Sequence, residues 1–73
     1  MLTEKMELPE DLLKLQDIIN QLLSAYAVKD QYDATQRAWI RYNYGEATKK
    51  YNRISGRMCF VTNIYNVKKS DLQ

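Results

Sequence analysis

The sequence has no histidine and a single cysteine, Cys59, among its 73 residues. Without histidine there is no imidazole for acid–base catalysis, and one cysteine cannot supply an internal disulfide or a usual tetrahedral zinc site. The carboxylates are scattered along the predicted helices, and no glycine-rich phosphate loop is present. We therefore predict a non-enzymatic protein with no catalytic residue, cofactor or metal, in which Cys59 is a buried apolar side chain.

Glycine, proline and long hydrophobic runs are also scarce, with two Gly and one Pro in the chain. The composition is that of a globular protein, and residues 1–73 are treated as one small domain with a thin core. No stretch approaches the roughly 20 apolar residues of a membrane span, and charged residues replace the apolar run of a signal peptide. We expect a cytoplasmic protein, a monomer that gains rigidity from a partner, although a homodimer through the leucine stripe is an alternative.

A regular apolar pattern predicts the first helix. Its apolar side chains recur at steps of four and three: Leu8, Leu12, Leu15, Ile19, Leu22 and Tyr26. Pro9 suits the first turn of a helix, where its missing N–H costs nothing, so a helix over about residues 9–28 is expected. Leu13, Ile18 and Leu23 widen the apolar stripe, which favours packing against more than one neighbour.

A capping box predicts where the second helix begins. The Asp33 carboxylate can accept from the N–H of Gln36, whose side chain can reach back, so the helix starts near Ala34. The apolar side of this helix consists of Ile40, Tyr44, Ala47, Tyr51 and Ile54. Gly45 lies inside this run and costs about 1 kcal/mol relative to alanine, so the segment is either one long helix or two helices separated at residues 43–45.

Residues 58–67, MCFVTNIYNV, fit two secondary structures. Their β-branched and aromatic side chains favour a strand, whereas Met58, Val61 and Tyr65 fall at helical spacing. We favour the helix. The predicted fold is all-α, a domain of three to four helices, and the alternative is an α+β fold in which residues 58–67 form a strand.

Residues 46–61, EATKKYNRISGRMCFV, resemble the helix-turn-helix of DNA-binding regulators and the DNA-contacting region of sigma-factor-like proteins. Ala47 or Thr48 supplies the small contact between the helices that such a motif needs. Asn52 stands at the turn, because asparagine tolerates positive φ, and Ser55 can cap the second helix. The C-terminal half is therefore expected to be helix-turn-helix-like.

The two halves of the chain carry opposite charge. Residues 1–33 hold seven acids against three lysines, a balance of −4, whereas residues 34–73 hold two acids against eight cations, a balance of +6. This asymmetry indicates a polyanion at the basic end, and the alternative is that the two halves neutralise each other. The candidate nucleic-acid-binding residues are Arg37, Arg41, Lys49, Lys50, Arg53, Arg57, Asn63, Lys68 and Lys69.

Three aromatic residues are candidates for contact with a protein partner: Trp39, Tyr42 and Phe60. On a helical wheel Trp39 lies near Tyr42, Lys49 and Arg53, where an aromatic ring can stack on bases or anchor a partner. The alternative, which we favour for Trp39, is that so large a side chain fills the core of a small domain.

The whole chain resembles small phage-encoded regulators that bind bacterial RNA polymerase and promote antitermination or block initiation. The likeness rests on its size, its lack of catalytic residues, its acidic and basic halves, and the sigma-like stretch. It implies that one surface, the rim of the leucine-rich helix or exposed Tyr and Trp, contacts a polymerase subunit, while the basic face contacts nearby DNA or RNA. The alternatives are a free-standing helix-turn-helix repressor or excisionase, and an inhibitor of another host protein.

Overall fold

The computed structural model describes residues 2–57, and this part of the chain is all-helical. Helix α1 spans Leu12–Ala27, a 3-10 turn spans Lys29–Gln31, and helix α2 spans Ala34–Ser55. The all-α prediction is therefore confirmed, with two α-helices in the described part of the chain, fewer than the three to four expected. The choice between helix and strand at residues 58–67 lies outside the described residues, as do Phe60, Asn63, Lys68 and Lys69.

Helix α1 begins at a capped aspartate rather than at the proline. The Asp11 carboxylate accepts from the N–H of Leu13 at 2.8 Å and from that of Lys14 at 3.2 Å, so two of the first free N–H groups are satisfied there. The predicted start near residue 9 is wrong, because residues 2–10 form an irregular N-terminal segment that packs on α2.

The core lies between the two helices, which the short link at residues 28–33 places side by side. It consists of Ile19, Leu22, Ala25, Ile40, Tyr44 and Ala47, all buried, so the main apolar stripes of both helices are confirmed. The predicted widening of the α1 stripe is wrong for Leu13 and Leu23, which are 74% and 37% exposed. These two leucines lie off the stripe that faces α2. Ile54, predicted on the apolar side of α2, is likewise 37% exposed.

A buried asparagine fixes the N-terminal segment to α2. Asn43 is 2% exposed, and its Nδ2 donates to the carbonyl oxygens of Leu2 and Glu4 at 2.9 and 2.6 Å, while its Oδ1 accepts from Met6 N at 3.3 Å. A buried amide is stable only when such partners are present. This arrangement brings Leu2, Met6 and Leu8 against the core.

Helix α2 is uninterrupted over 22 residues, so of the two alternatives the single long helix forms and there is no break at residues 43–45. The capping box at its start is confirmed: Asp33 Oδ1 accepts from Gln36 N at 2.8 Å, and Gln36 Oε1 accepts from Asp33 N at 3.0 Å. At its other end Gly56 adopts φ 72°, and its N–H donates to the carbonyl of Asn52 at 3.0 Å. Glycine takes this left-handed conformation because it has no Cβ to clash.

The helix-turn-helix prediction is wrong in the position of its turn. Asn52 is helical, Ser55 is the last residue of α2, and within residues 2–57 only Gly56 has positive φ. The chain therefore turns four residues later than the motif requires. The second helix of the predicted motif falls outside the described residues.

Candidate nucleic-acid and partner interface

The predicted nucleic-acid-binding cations of residues 37–57 differ in their exposure and in their hydrogen-bond partners. Arg37 Nη1 donates to the carbonyl oxygen of Tyr32 at 2.6 Å, which ties it to the link before α2. Arg41 is half-buried, and its Nε is buried with no hydrogen-bond partner among residues 2–57. Both guanidinium groups are thus partly withdrawn from solvent, and neither is presented as an open phosphate contact.

Lys50 is also engaged inside the fold. Its Nζ lies 2.9 Å from Glu10 Oε1 and donates to the carbonyl oxygen of Leu8 at 2.8 Å, and its side chain is only 16% exposed. Glu10 belongs to the acid-rich first half of the chain, so at this one cation the two halves do neutralise each other. A phosphate could reach Lys50 only at the cost of these two contacts, and we interpret the residue as structural.

The remaining described cations lie towards the C-terminal end of α2. Lys49 has a side chain 61% exposed, and its Nζ is 3.4 Å from Glu46 Oε2 one turn earlier. Exposed pairs of this kind contribute about 0–1 kcal/mol, so Lys49 can exchange Glu46 for another anion at little cost. Arg53 and Arg57 are exposed, and Arg53 also lies in the last turn, where a cation interacts favourably with the helix dipole.

Trp39 and Tyr42 form an aromatic pair on α2. Their ring centroids are 5.5 Å apart and the planes meet at 86°, an edge-to-face contact. Both side chains are half-buried and neither belongs to the core cluster. Trp39 therefore lies outside the core that residues 2–57 form, since Ile40, Tyr44 and Ala47 fill the side of α2 that faces α1.

These residues share one side of α2. Trp39, Tyr42, Glu46, Lys49 and Arg53 follow one another at steps of three and four, the spacing that places side chains on one helical face. We call these five residues the outer face of α2. At 1.5 Å per residue they span about 21 Å, and Arg57 follows just beyond the Gly56 cap. Aromatic rings lie towards one end of the surface and cations towards the other.

Glu46 is the member of this face that the sequence reasoning missed as an interface residue. The available signal was its position three residues before Lys49, a spacing at which opposite charges interact on a helix. The outer face and Arg57 together carry three cations and one acid. The surface can therefore hold a polyanion, and its acid opposes that binding in part.

The described residues offer no metal centre, since residues 2–57 contain no group of three or more Cys, Asp or Glu side chains placed to hold an ion. Neither α1 nor α2 is long and apolar enough to cross a membrane. An open groove of about 560 Å³ lies beside α1 and is lined mainly by polar side chains of that helix, together with Leu2, Val28 and Tyr32.

No protein-family model, curated protein or solved structure matches this chain. Its candidate interface is therefore defined by the geometry of α2 alone.

Proposed function

We propose that this chain is a non-enzymatic transcription regulator that binds a host RNA polymerase subunit and contacts nucleic acid beside it, in the cytoplasm of the host cell. The observation that carries the proposal is the outer face of α2, where an aromatic pair and exposed cations share one side of an uninterrupted helix. RNA polymerase is proposed as the partner because the chain resembles small phage-encoded regulators that bind it. The basic face of such a protein lies towards the nucleic acid.

The nucleic-acid contact is assigned to Lys49, Arg53 and Arg57. These cations are exposed, whereas Arg37 and Lys50 are bound to groups within the chain. Contacts to phosphate give affinity without sequence information. Two to three such contacts predict a log–log salt dependence with a slope of about −2 to −3 on duplex DNA.

The protein contact is assigned to the solvent side of α1. Leu13 and Leu23 are exposed there at separate points of the helix, and Val28 is 43% exposed beside the open groove. Exposed apolar side chains on a rigid helix can serve as anchors in a partner's pockets. These exposed side chains support the proposal, implied by the resemblance, that the rim of the leucine-rich helix contacts the polymerase.

The structure bears on the alternatives as well. The interpretation as a free-standing helix-turn-helix repressor or excisionase placed its turn at Asn52, and that residue is helical, so this placement no longer supports it. An inhibitor of another host protein needs no nucleic-acid contact, so replacing Arg53 and Arg57 together should leave its activity intact. That double replacement therefore separates the proposed regulator from an inhibitor of another host protein.

A pull-down from nuclease-treated bacterial lysate tests the proposal. The tagged full chain should retain RNA polymerase subunits after nuclease treatment, and Leu13→Asp should lose them, because a charge at an apolar contact must be desolvated. The Arg53→Gln/Arg57→Gln variant should keep the polymerase in this pull-down and, in a separate assay with purified DNA or RNA, bind nucleic acid more weakly than the wild type. Absence of polymerase from the wild-type eluate would refute the proposal.

A further inference from the structure

The centre of the outer face of α2 is unlike a helix that reads duplex DNA. A reading helix presents mainly Arg, Lys, Asn or Gln, and less often Glu or Asp, to base edges in the major groove, with phosphates on both flanks. Here the middle of the face carries Tyr42 and Glu46, and the Glu46 side chain is 43% exposed. In a duplex groove this carboxylate would suit only the amino group of cytosine, and it repels the phosphates of duplex and single strand alike, so the choice between them depends on the aromatic residues.

The aromatic pair points to unpaired bases. Rings of Trp and Tyr stack on the π-faces of bases, which are exposed in a single strand and covered by their neighbours in a duplex. The edge-to-face contact of Trp39 and Tyr42 holds the two rings at 86° to each other, and neither ring is buried in the core. Lys49 and Arg53 continue the same face for the backbone of that strand.

We propose that the outer face of α2 binds single-stranded nucleic acid in preference to duplex, with bases stacked on Trp39 and Tyr42 and phosphates held by Lys49 and Arg53. This inference rests on the nucleic-acid contact of the proposed function and reassigns the two aromatic residues from the protein partner to the bases. The face spans about 21 Å, which accommodates about six nucleotides at the 3.4 Å rise of one B-form strand and fewer in a stretched one.

Trp39 is the only tryptophan of the chain, so its fluorescence reports directly on this surface. The full chain is titrated at low salt with a dT12 oligonucleotide, with a 12-base-pair duplex and with a poly-glutamate peptide. We expect dT12 to quench Trp39 and to bind at least about tenfold more tightly than the duplex. Raising the salt should weaken dT12 binding with a slope of about −1.5 to −2, which corresponds to two to three phosphates on a single strand.

Single substitutions distinguish the contribution of base stacking to binding from the contribution of positive charge. Tyr42→Leu should weaken dT12 binding by about fivefold or more and leave duplex binding unchanged, whereas Tyr42→Phe, which keeps the ring, should bind like the wild type. Arg53→Gln should weaken both nucleic acids, and Lys14→Gln on α1 is the matched loss of one exposed positive charge, expected to change neither. Circular dichroism verifies that each variant retains its helices. If Tyr42→Leu fails to fold, the comparison of dT12 with duplex on the wild type decides whether single strands are preferred.

The outcomes are distinct. Equal or tighter binding of duplex with unchanged Trp39 fluorescence overturns this inference but leaves a nucleic-acid contact beside the polymerase. Binding of neither dT12 nor duplex overturns both the inference and the nucleic-acid part of the proposed function. Quenching by poly-glutamate as strong as that by dT12 overturns the inference in favour of an acidic protein as the ligand.

Discussion

Two neighbouring lysines on α2 have opposite surroundings, and the contrast separates the two sides of the molecule. The Lys50 side chain is 16% exposed and is bound to Glu10 and to the Leu8 carbonyl, whereas that of Lys49 is 61% exposed and meets only Glu46 within residues 2–57. One step along a helix turns a side chain by about 100°, which is enough to move it from the N-terminal segment to solvent. The charge available to a ligand is therefore set by the helix face, and not by the half of the chain in which a cation lies.

The same contrast holds for other residue types. On the inner side of the helices lie Leu15, fully buried, and Asn43, which binds three backbone groups of the N-terminal segment. On the outer sides lie Leu13 and Arg53, both exposed. If this division is correct, equal substitutions on the two sides should have very different effects on stability.

The largest difference is expected for the two leucines of α1. Leu15→Ala should reduce the free energy of unfolding by about 3 kcal/mol or more, because it removes a fully buried side chain and leaves a cavity. Leu13→Ala, its matched control, should change it by less than about 0.5 kcal/mol, since that side chain is largely in water. Urea unfolding followed by circular dichroism measures both, and equal midpoints would contradict the described packing of α1.

The next effect concerns the amide that fixes the N-terminal segment. Asn43→Ala removes the partner of Leu2 O, Glu4 O and Met6 N, and groups left without a partner cost about 1–3 kcal/mol each where they are buried. Because these contacts are partly buried, we expect a total loss of about 2–3 kcal/mol and faster amide hydrogen exchange in residues 2–10.

The control for this change is Asn20→Ala on the exposed side of α1. This substitution removes the same kind of side-chain amide from a position that is already exposed to solvent. It should change the free energy of unfolding by less than about 0.5 kcal/mol. Unchanged hydrogen exchange of the N-terminal segment in Asn43→Ala would show that Asn43 does not hold it.

A smaller effect separates the two lysines themselves. Lys50→Met should destabilise by about 1–2 kcal/mol through the loss of a charged hydrogen bond to a carbonyl, whereas Lys49→Met should cost less than about 0.5 kcal/mol. The Glu10 side chain is 83% exposed, so the contribution of the Lys50–Glu10 ion pair to stability should diminish in high salt. Thermal unfolding at low and high salt compares Lys50→Met with Lys49→Met. Equal melting temperatures would show that the two lysines do not differ in their contribution to stability.

The two helices and the first residue of α2 follow from local rules, and so could be predicted from the sequence. The capping box of Asp33 and Gln36 marks the start of α2 because its two hydrogen bonds join residues only three apart. The apolar stripes identify the core for the same reason, since helical periodicity is a local pattern. The end of α2 was misplaced because Asn52 and Gly56 are both residues that can end a helix, and the sequence does not show which of them takes positive φ.

The N-terminal segment could not be predicted because its contacts join residues about 40 positions apart. Its one sequence signal is Asn43, a polar residue on the same side of α2 as Ile40 and Ala47, which requires a partner if that side is buried. The candidate site was only partly predicted for the same reason. Helical spacing places Lys50 nearer than Lys49 to the apolar stripe of α2, but only the position of Glu10 and Leu8 in space shows which groups Lys50 binds.

The smallest effect on stability, and the most direct probe of the outer face, is expected at Glu46. Replacement by glutamine removes an exposed pair with Lys49, so the free energy of unfolding should change by less than about 0.5 kcal/mol. Binding of dT12 should tighten by about threefold at low salt, because one repulsive charge leaves the surface and Lys49 is released. Glu10→Gln removes the same charge beside Lys50, away from the outer face, and should leave dT12 affinity unchanged. Equal gains in the two variants would mean that net charge alone governs binding, and the outer face of α2 would then have no special role.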